Sequence, residues 1–277
     1  MIRAIVEYQF LQNALFAGFL ASVVCGVIGV IIIEKKIIMM SGGIAHTSYG
    51  GVGLGYLMGF EPILGAFLFA AAAALGIGFI KRKGGALFDI AIALFWSLGM
   101  ALGVVFIALM PGYPPDLSSY LFGNILSVTK SDLLLMSILT LAAILVVIIL
   151  FNDWKAYLFD EEFAYIIGVR TTFLEYLLLI LIAMTVVVLI RVVGIILALS
   201  LLTIPAAAAA MVFGSLKKRM LYAVVLGNLF SITGLWISYR TDMASGASIV
   251  IISALFYLAS HLVHMIYGKK KRAGISY

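Results

Sequence analysis

A chain of 277 residues that is 65% hydrophobic and only 11% charged is not a soluble domain, because soluble domains carry about 25% charged residues. Its formal net charge of +6 lies in short basic clusters between apolar runs, which is the pattern of membrane loops rather than of a nucleic-acid surface. With Cys25 the single cysteine, no internal disulfide can form, and Cys25 reads as a small buried helix residue.

A helical span needs about 20 mostly apolar residues. Runs of that kind fall at 11–33, 37–59, 63–80, 87–110, 133–151, 173–190, 192–213, 220–239 and 247–267. Backbone groups in hydrocarbon must be satisfied internally, so these runs predict helices. The fold class is therefore all-α: a polytopic integral membrane helical bundle of nine transmembrane helices, or eight if the sixth and seventh runs, parted only around Arg191, are a span and a re-entrant piece.

The opening "MIRAIVEYQFLQNALFAGFL" has no clear cleavage site and reads as leading into the first span. "SVVC" puts valine where a lipoprotein site needs a small residue before the cysteine. The second run contains "SGGIAHTSYGGVGLGYLMG", with Gly43, Thr47, Gly51, Gly55 and Gly59 at every fourth position. Such a stripe lets helix backbones approach closely, and packing accounts for most of these glycines. His46 sits beside the stripe, with Gly42 and Gly50 one turn to either side leaving room around the imidazole. Ionisable groups in spans are costly and mark ion routes, and neutral imidazole suits zinc, iron and related metals. The alternative is a histidine bonded to a neighbouring helix.

Asp89, after "KRKGG", caps the fourth run or pairs with Lys83. The loop "PGYPPDLSS" is a Pro-rich turn. Residues 152–172, "NDWKAYLFDEEFAYIIGVRTT", form the longest hydrophilic connection, and it is amphipathic. Asp160 caps a short helix, Glu161 and Glu162 favour its positive end, Phe163, Ile166 and Ile167 share a face, and Gly168 stops it. An acidic helix suits an anionic leaflet poorly, so a protein groove is the better partner than lipid. In "ALSLLTIPAAAAA", Pro205 predicts a bent helix packed closely through small residues. His261 and His264 share a face near the end of the last run, placed for metal chelation or simply at the headgroup boundary.

The basic sets Lys35 and Lys36, Lys81 to Lys83, Lys217 to Arg219 and Lys269 to Arg272 occupy alternate connections. Glu61, Asp116 and Asp242 mark the others, with Arg191 and Arg240 as exceptions. Positive-inside counting puts the basic connections and the C-terminus in the cytoplasm and the N-terminus outside. The chain has no G-x-x-x-x-G-K-[ST] phosphate loop, no H-E-x-x-H, and no G-x-S-x-G with plausible partners. It thus lacks its own ATPase motif, and the expectation is a transport subunit with no catalytic residues, not an enzyme.

Together, "EKKIIMMSGGIAHTSYGGVGLGYLMG", "FDIAIALFWSLGMALGV", "YLFGNIL", "LFDEEFAYIIGV", "VGIILALSLLTIPAAAAA" and "SGASIVI" resemble, in this order, the landmarks of the zinc/manganese/iron-type ABC transporter permeases over about residues 33–252. The resemblance implies one permease domain over 1–277, working as a homodimer in the cytoplasmic membrane with two copies of a separate ABC ATPase subunit. An extracellular metal-binding protein would deliver the cargo, a divalent zinc, manganese or iron ion, and no cofactor would stay bound. It also implies that the helix of Asp160, Glu161, Glu162, Phe163, Ala164 and Gly168 is the coupling element, and that His46 lies on the metal path. Family members usually carry an aspartate four residues before this histidine; here it is Gly42. Two other readings stand beside this one. The first is an ABC permease for a metal chelate. The second is a self-contained secondary transporter, which the lack of mid-membrane carboxylates disfavours.

Overall fold

The computed structural model describes residues 7–83, 88–112, 120–121, 123, 125–241 and 243–273, with side chains described to residue 266. Asp116 and Asp242 lie outside the described residues, as do the side chains of Lys269 to Arg272. Among the described residues there are ten α-helices, a short 3-10 turn at Ile125–Ser127, and no strand. The helices are α1 Gln9–Lys35, α2 Ile38–Met58, α3 Pro62–Lys83, α4 Phe88–Leu109, α5 Lys130–Ile149, α6 Phe151–Phe159, α7 Glu161–Ile166, α8 Thr171–Val212, α9 Leu216–Thr241 and α10 Ser245–Ala273.

Seven of these are long and apolar enough to cross a membrane. The sequence counts nine runs, and two features make the difference. Helix α2 has the length, 21 residues, but its glycines, serines and tyrosines dilute its hydropathy. Helix α8 holds the sixth and seventh runs in one 42-residue element broken only at Gly194, whose φ of 80° and ψ of 166° are not helical. The backbone stays helical through Pro205, so the bend predicted there sits eleven residues earlier, at the glycine.

Ion pairs mark two faces of the bundle. At one, buried Glu175 of α8 accepts from Lys81 at 2.7 Å and Arg82 at 3.1 Å, both at the end of α3. Glu34 of α1 pairs with Arg219 of α9 on that side, and Lys35 pairs with Glu161 of α7 at 2.7 Å. The basic clusters at the ends of α1 and α3 and the start of α9 thus share a face with α6 and α7. At the other, Arg191 donates to Glu61 at 2.7 Å, and its Nε lies 2.7 Å from Asp132, an ion pair by distance without hydrogen-bond alignment. Asp132 also closes a capping box with Thr129 at the start of α5. Helix α8 therefore rises along α3 from Glu175 to Arg191, turns at Gly194, and returns to the face of Glu34 and Arg219.

Packing follows the small residues. Helix α2 lies between α3 and α4: a Cβ on Gly51 would overlap the Gly65 carbonyl, and one on Gly53 would stand 2.7 Å from the Gly103 carbonyl. Gly43 abuts Ile92 and Gly55 abuts Pro62, so three of the four stripe glycines are packing residues. Gly59 is not; it ends α2 at φ 74° with nothing near its Cα hydrogens. Serines join other helices, Ser22 to Ser231 at 3.3 Å and Ser200 to Ser253 at 2.9 Å.

Candidate metal path

His46 lies on the face of α2 that meets α4. Its imidazole stacks on the indole of Trp96, with centroids 4.2 Å apart and planes 7° from parallel. The buried Nδ1 has no hydrogen-bond partner. Among the described residues no neighbouring helix bonds to Nδ1, and the ring is held against Trp96 by stacking. The two neighbouring glycines differ in role. Gly42 is open, since a Cβ there would meet only the edge of Trp96, at 3.7 Å. Gly50 is filled instead, with Phe69 and the Gly99 carbonyl each 2.8 Å from where a Cβ would stand. Room around the imidazole is therefore on the Gly42 side alone.

The flanking residues hold α2 in place. Thr47 Oγ1 donates within reach of both the Gly43 carbonyl, at 2.7 Å, and the Phe95 carbonyl of α4, at 2.9 Å. Ser48 and Tyr120 share a hydrogen bond of 2.8 Å, and Tyr49 packs on Tyr120 with ring centroids 4.9 Å apart. Among the described residues no three His, Cys, Asp or Glu side chains converge on a point that could hold a metal ion. His261 and His264 are exposed on α10, far along the chain from this group, and His261 stacks on Tyr257 at 6.2 Å.

At the basic face, α6 and α7 form a bracket. Asp160 caps α7 by accepting from the Phe163 amide at 3.0 Å, and Ala164 is fully buried beneath it. Gly168, at φ 90°, closes the turn, and the Val169 amide donates to the Ala164 carbonyl at 3.0 Å. Phe163, Ile166 and Ile167 point outward, 54%, 78% and 54% exposed, beside Glu161 and Glu162. Lys35 anchors this bracket. Its ammonium reaches Glu161 and the Tyr157 carbonyl and lies 3.5 Å from the Tyr157 ring centroid. Burial, aided by Glu161 and Glu175, pushes the Tyr157 phenol well above its usual range, so the ring stays neutral beneath the cation.

The sequence did not single out α6, Trp96 or the anchoring role of Lys35. Helix α6 is nine residues, too short for a spanning signal, and its Trp154 and Tyr157 are the buried side that a polar loop would lack. Trp96 is fifty residues from His46 in sequence, and nothing local announces their stack.

The chain matches the family model "ABC 3 transport family" over residues 7–264. It is 40% identical to an uncharacterized membrane protein of Synechocystis, over 94% of each chain. It is 34% identical to a manganese transport system membrane protein, MntC, of Listeria innocua, over 98% of each chain. It also matches a solved structure, PsaBC from Streptococcus pneumoniae in complex with Fab, at a TM-score of 0.84 and 34% identity, covering 94% of this chain and 93% of that one.

Proposed function

This chain belongs to the ABC 3 transport family, the membrane permeases of metal-uptake ABC importers, and from that premise we propose that it is the permease subunit that moves a divalent transition metal ion across the cytoplasmic membrane. The match over residues 7–264, with relatives named for manganese transport, carries the reading. Manganese accordingly leads zinc and iron as cargo. Chemistry pulls the other way at one point: His46 without a carboxylate at Gly42 offers nitrogen and no charge, which favours zinc or iron.

In this reading a separate ATPase drives transport, since the chain has no phosphate loop. The exposed Phe163, Ile166 and Ile167 of the 152–172 loop enter a groove on that ATPase, with Glu161 and Glu162 at its rim. The basic face, with the C-terminus, is then cytoplasmic, and the face of Glu61, Asp132 and Arg191 receives an extracellular metal-binding protein. Two copies of the chain pair so that two His46 side chains line one path, because one copy brings too few polar groups for a hydrophilic route. A metal chelate is the second reading, favoured by the missing carboxylate at Gly42.

The test is metal accumulation in cells that make this chain and its ATPase, compared across manganese, zinc, iron and cobalt. His46→Ala at matched membrane expression should cut uptake of the cargo metal severely. Unchanged uptake of every metal would make His46 a packing residue.

A further inference from the structure

The indole of Trp96 covers His46 and also walls a cavity of about 520 Å³ that is lined by Met39, Asp89, Ile92, Ala93, Trp96 and Ser97. His46 does not line that cavity. Met39 and Asp89 are each the second residue of their helices, α2 and α4, which start at the face of Lys35 and Lys81. Lys81 stands 5.9 Å from the Phe88 ring, which keeps the start of α4 beside the end of α3. His46 and Trp96 each lie seven residues further on, about 10 Å deeper into the bundle. Trp96 therefore stands between the two places: its indole lines the cavity and stacks on His46, which lies at the same depth.

Asp89 has no ion pair among the described residues, so the expected pairing with Lys83 is not formed. The three cations at the end of α3 are engaged elsewhere. Lys81 and Arg82 hold Glu175, and Lys83 sits over the Phe79 ring at 4.5 Å. Asp89, Ala93 and Ser97 recur at every fourth position, placing a carboxylate, a methyl group and a hydroxyl along one exposed strip of α4. The hydroxyl spends its proton on the Ala93 carbonyl at 2.9 Å and keeps its lone pairs. Asp89 is exposed in the first turn of α4, where the positive end of the helix favours a carboxylate, and its oxygens face the cavity rather than a cation of the protein. Hard and borderline dications take such oxygen ligands together with water.

We infer that this cavity is an inner vestibule for the transported, partly hydrated dication, that Asp89 is its charged group, and that Trp96 is the partition between the vestibule and His46. The inference rests on the reading of His46 as a path residue. A metal binds imidazole nitrogen in the plane of the ring, and the parallel indole leaves no space for an ion across the ring face. For the ion to pass from His46 to Asp89, the indole must swing aside. The open Gly42 side, where only the edge of Trp96 intrudes, gives it somewhere to start from.

The chain is reconstituted with its ATPase in liposomes, and manganese and zinc entry down a gradient without ATP is followed with a trapped fluorescent chelator. Wild type should hold the gradient, Trp96→Ala should leak severalfold faster, and Trp96→Phe, which keeps a ring, should stay near wild type. Adding Asp89→Asn to Trp96→Ala should remove most of the leak; an undiminished leak overturns the role of Asp89. A second measurement is independent of flux. A cysteine replacing His46, in a Cys25→Ala background, is exposed to a cationic methanethiosulfonate, and labelling should speed up with Trp96→Ala and not with Trp96→Phe. If Trp96→Ala leaves both leak and labelling at the parent level, the partition is overturned. If labelling opens as expected while His46→Ala spares uptake of every metal, the partition stands and the path reading of His46 falls.

Discussion

Gly53 and Gly42 lie on the same helix, and the same substitution to alanine should have opposite outcomes at the two. At Gly53 the new Cβ would be 2.7 Å from the Gly103 carbonyl oxygen and 3.0 Å from the Gly103 Cα, all backbone of α4 that no rotamer change can clear. Carbon and oxygen sit comfortably near 3.4 Å, so α2 and α4 must part by roughly 0.7 Å at that point, and overpacking of this kind costs about 1–3 kcal/mol. At Gly42 the Cβ would be in ordinary contact with the edge of Trp96, at 3.7 Å, and nothing has to move. Both changes gain the same helix propensity, about 1 kcal/mol. That gain cancels when the two variants are compared, leaving the about 1–3 kcal/mol of overpacking as the expected difference. Denaturant or detergent-titration midpoints of the purified protein in bicelles would read it. Gly53 is two turns from His46 on one face, so the parting should also loosen the stack and shift Trp96 emission in Gly53→Ala only. Equal midpoints for the two alanine variants would refute the claim that backbone contact between α2 and α4 sets this spacing.

Phe163→Asp should abolish transport and ATPase association while leaving the chain in the membrane, because a charge cannot enter an apolar groove cheaply; co-purification and uptake together check this. Gly42→Asp places a carboxylate one turn from His46 on the open side and should tighten metal binding and move preference toward manganese, as competition uptake among several metals would show. Glu175→Leu removes the buried carboxylate and leaves Lys81 and Arg82, both partly exposed, to solvent, and should lower the unfolding midpoint only modestly, through a loss of about 1 kcal/mol.

Much of this architecture is readable from residue order, and the exceptions share a cause. The apolar runs map onto the long helices because burial in lipid needs only length and composition. Asp160, Ala164 and Gly168 also do locally what their types suggest: cap, anchor and turn. Gly194 was missed because one glycine among many carries no mark of its φ, while Pro205, the more obvious breaker, sits where helical angles suit it. The partnerships of Arg191 with Glu61 and Asp132, and of Trp96 with His46, join residues that are 130, 59 and 50 positions apart. Nothing in a window of one helix can announce them. Arg191 did stand out as a basic exception on an acidic side, and its two carboxylate partners explain why it is tolerated there.

The single-residue turn at Gly194 has a consequence for how the chain enters the bilayer. The two halves of α8 have no loop between them, so no polar segment has to be carried across after the first half has settled. They form one folded pin, turned at a single residue. In the proposed orientation the head of that pin carries a positive charge to the side where positive charges are resisted. Both partners of Arg191 precede it in synthesis, Glu61 by 130 residues and Asp132 by 59. The acidic partners of this turn are thus made before the arginine they hold.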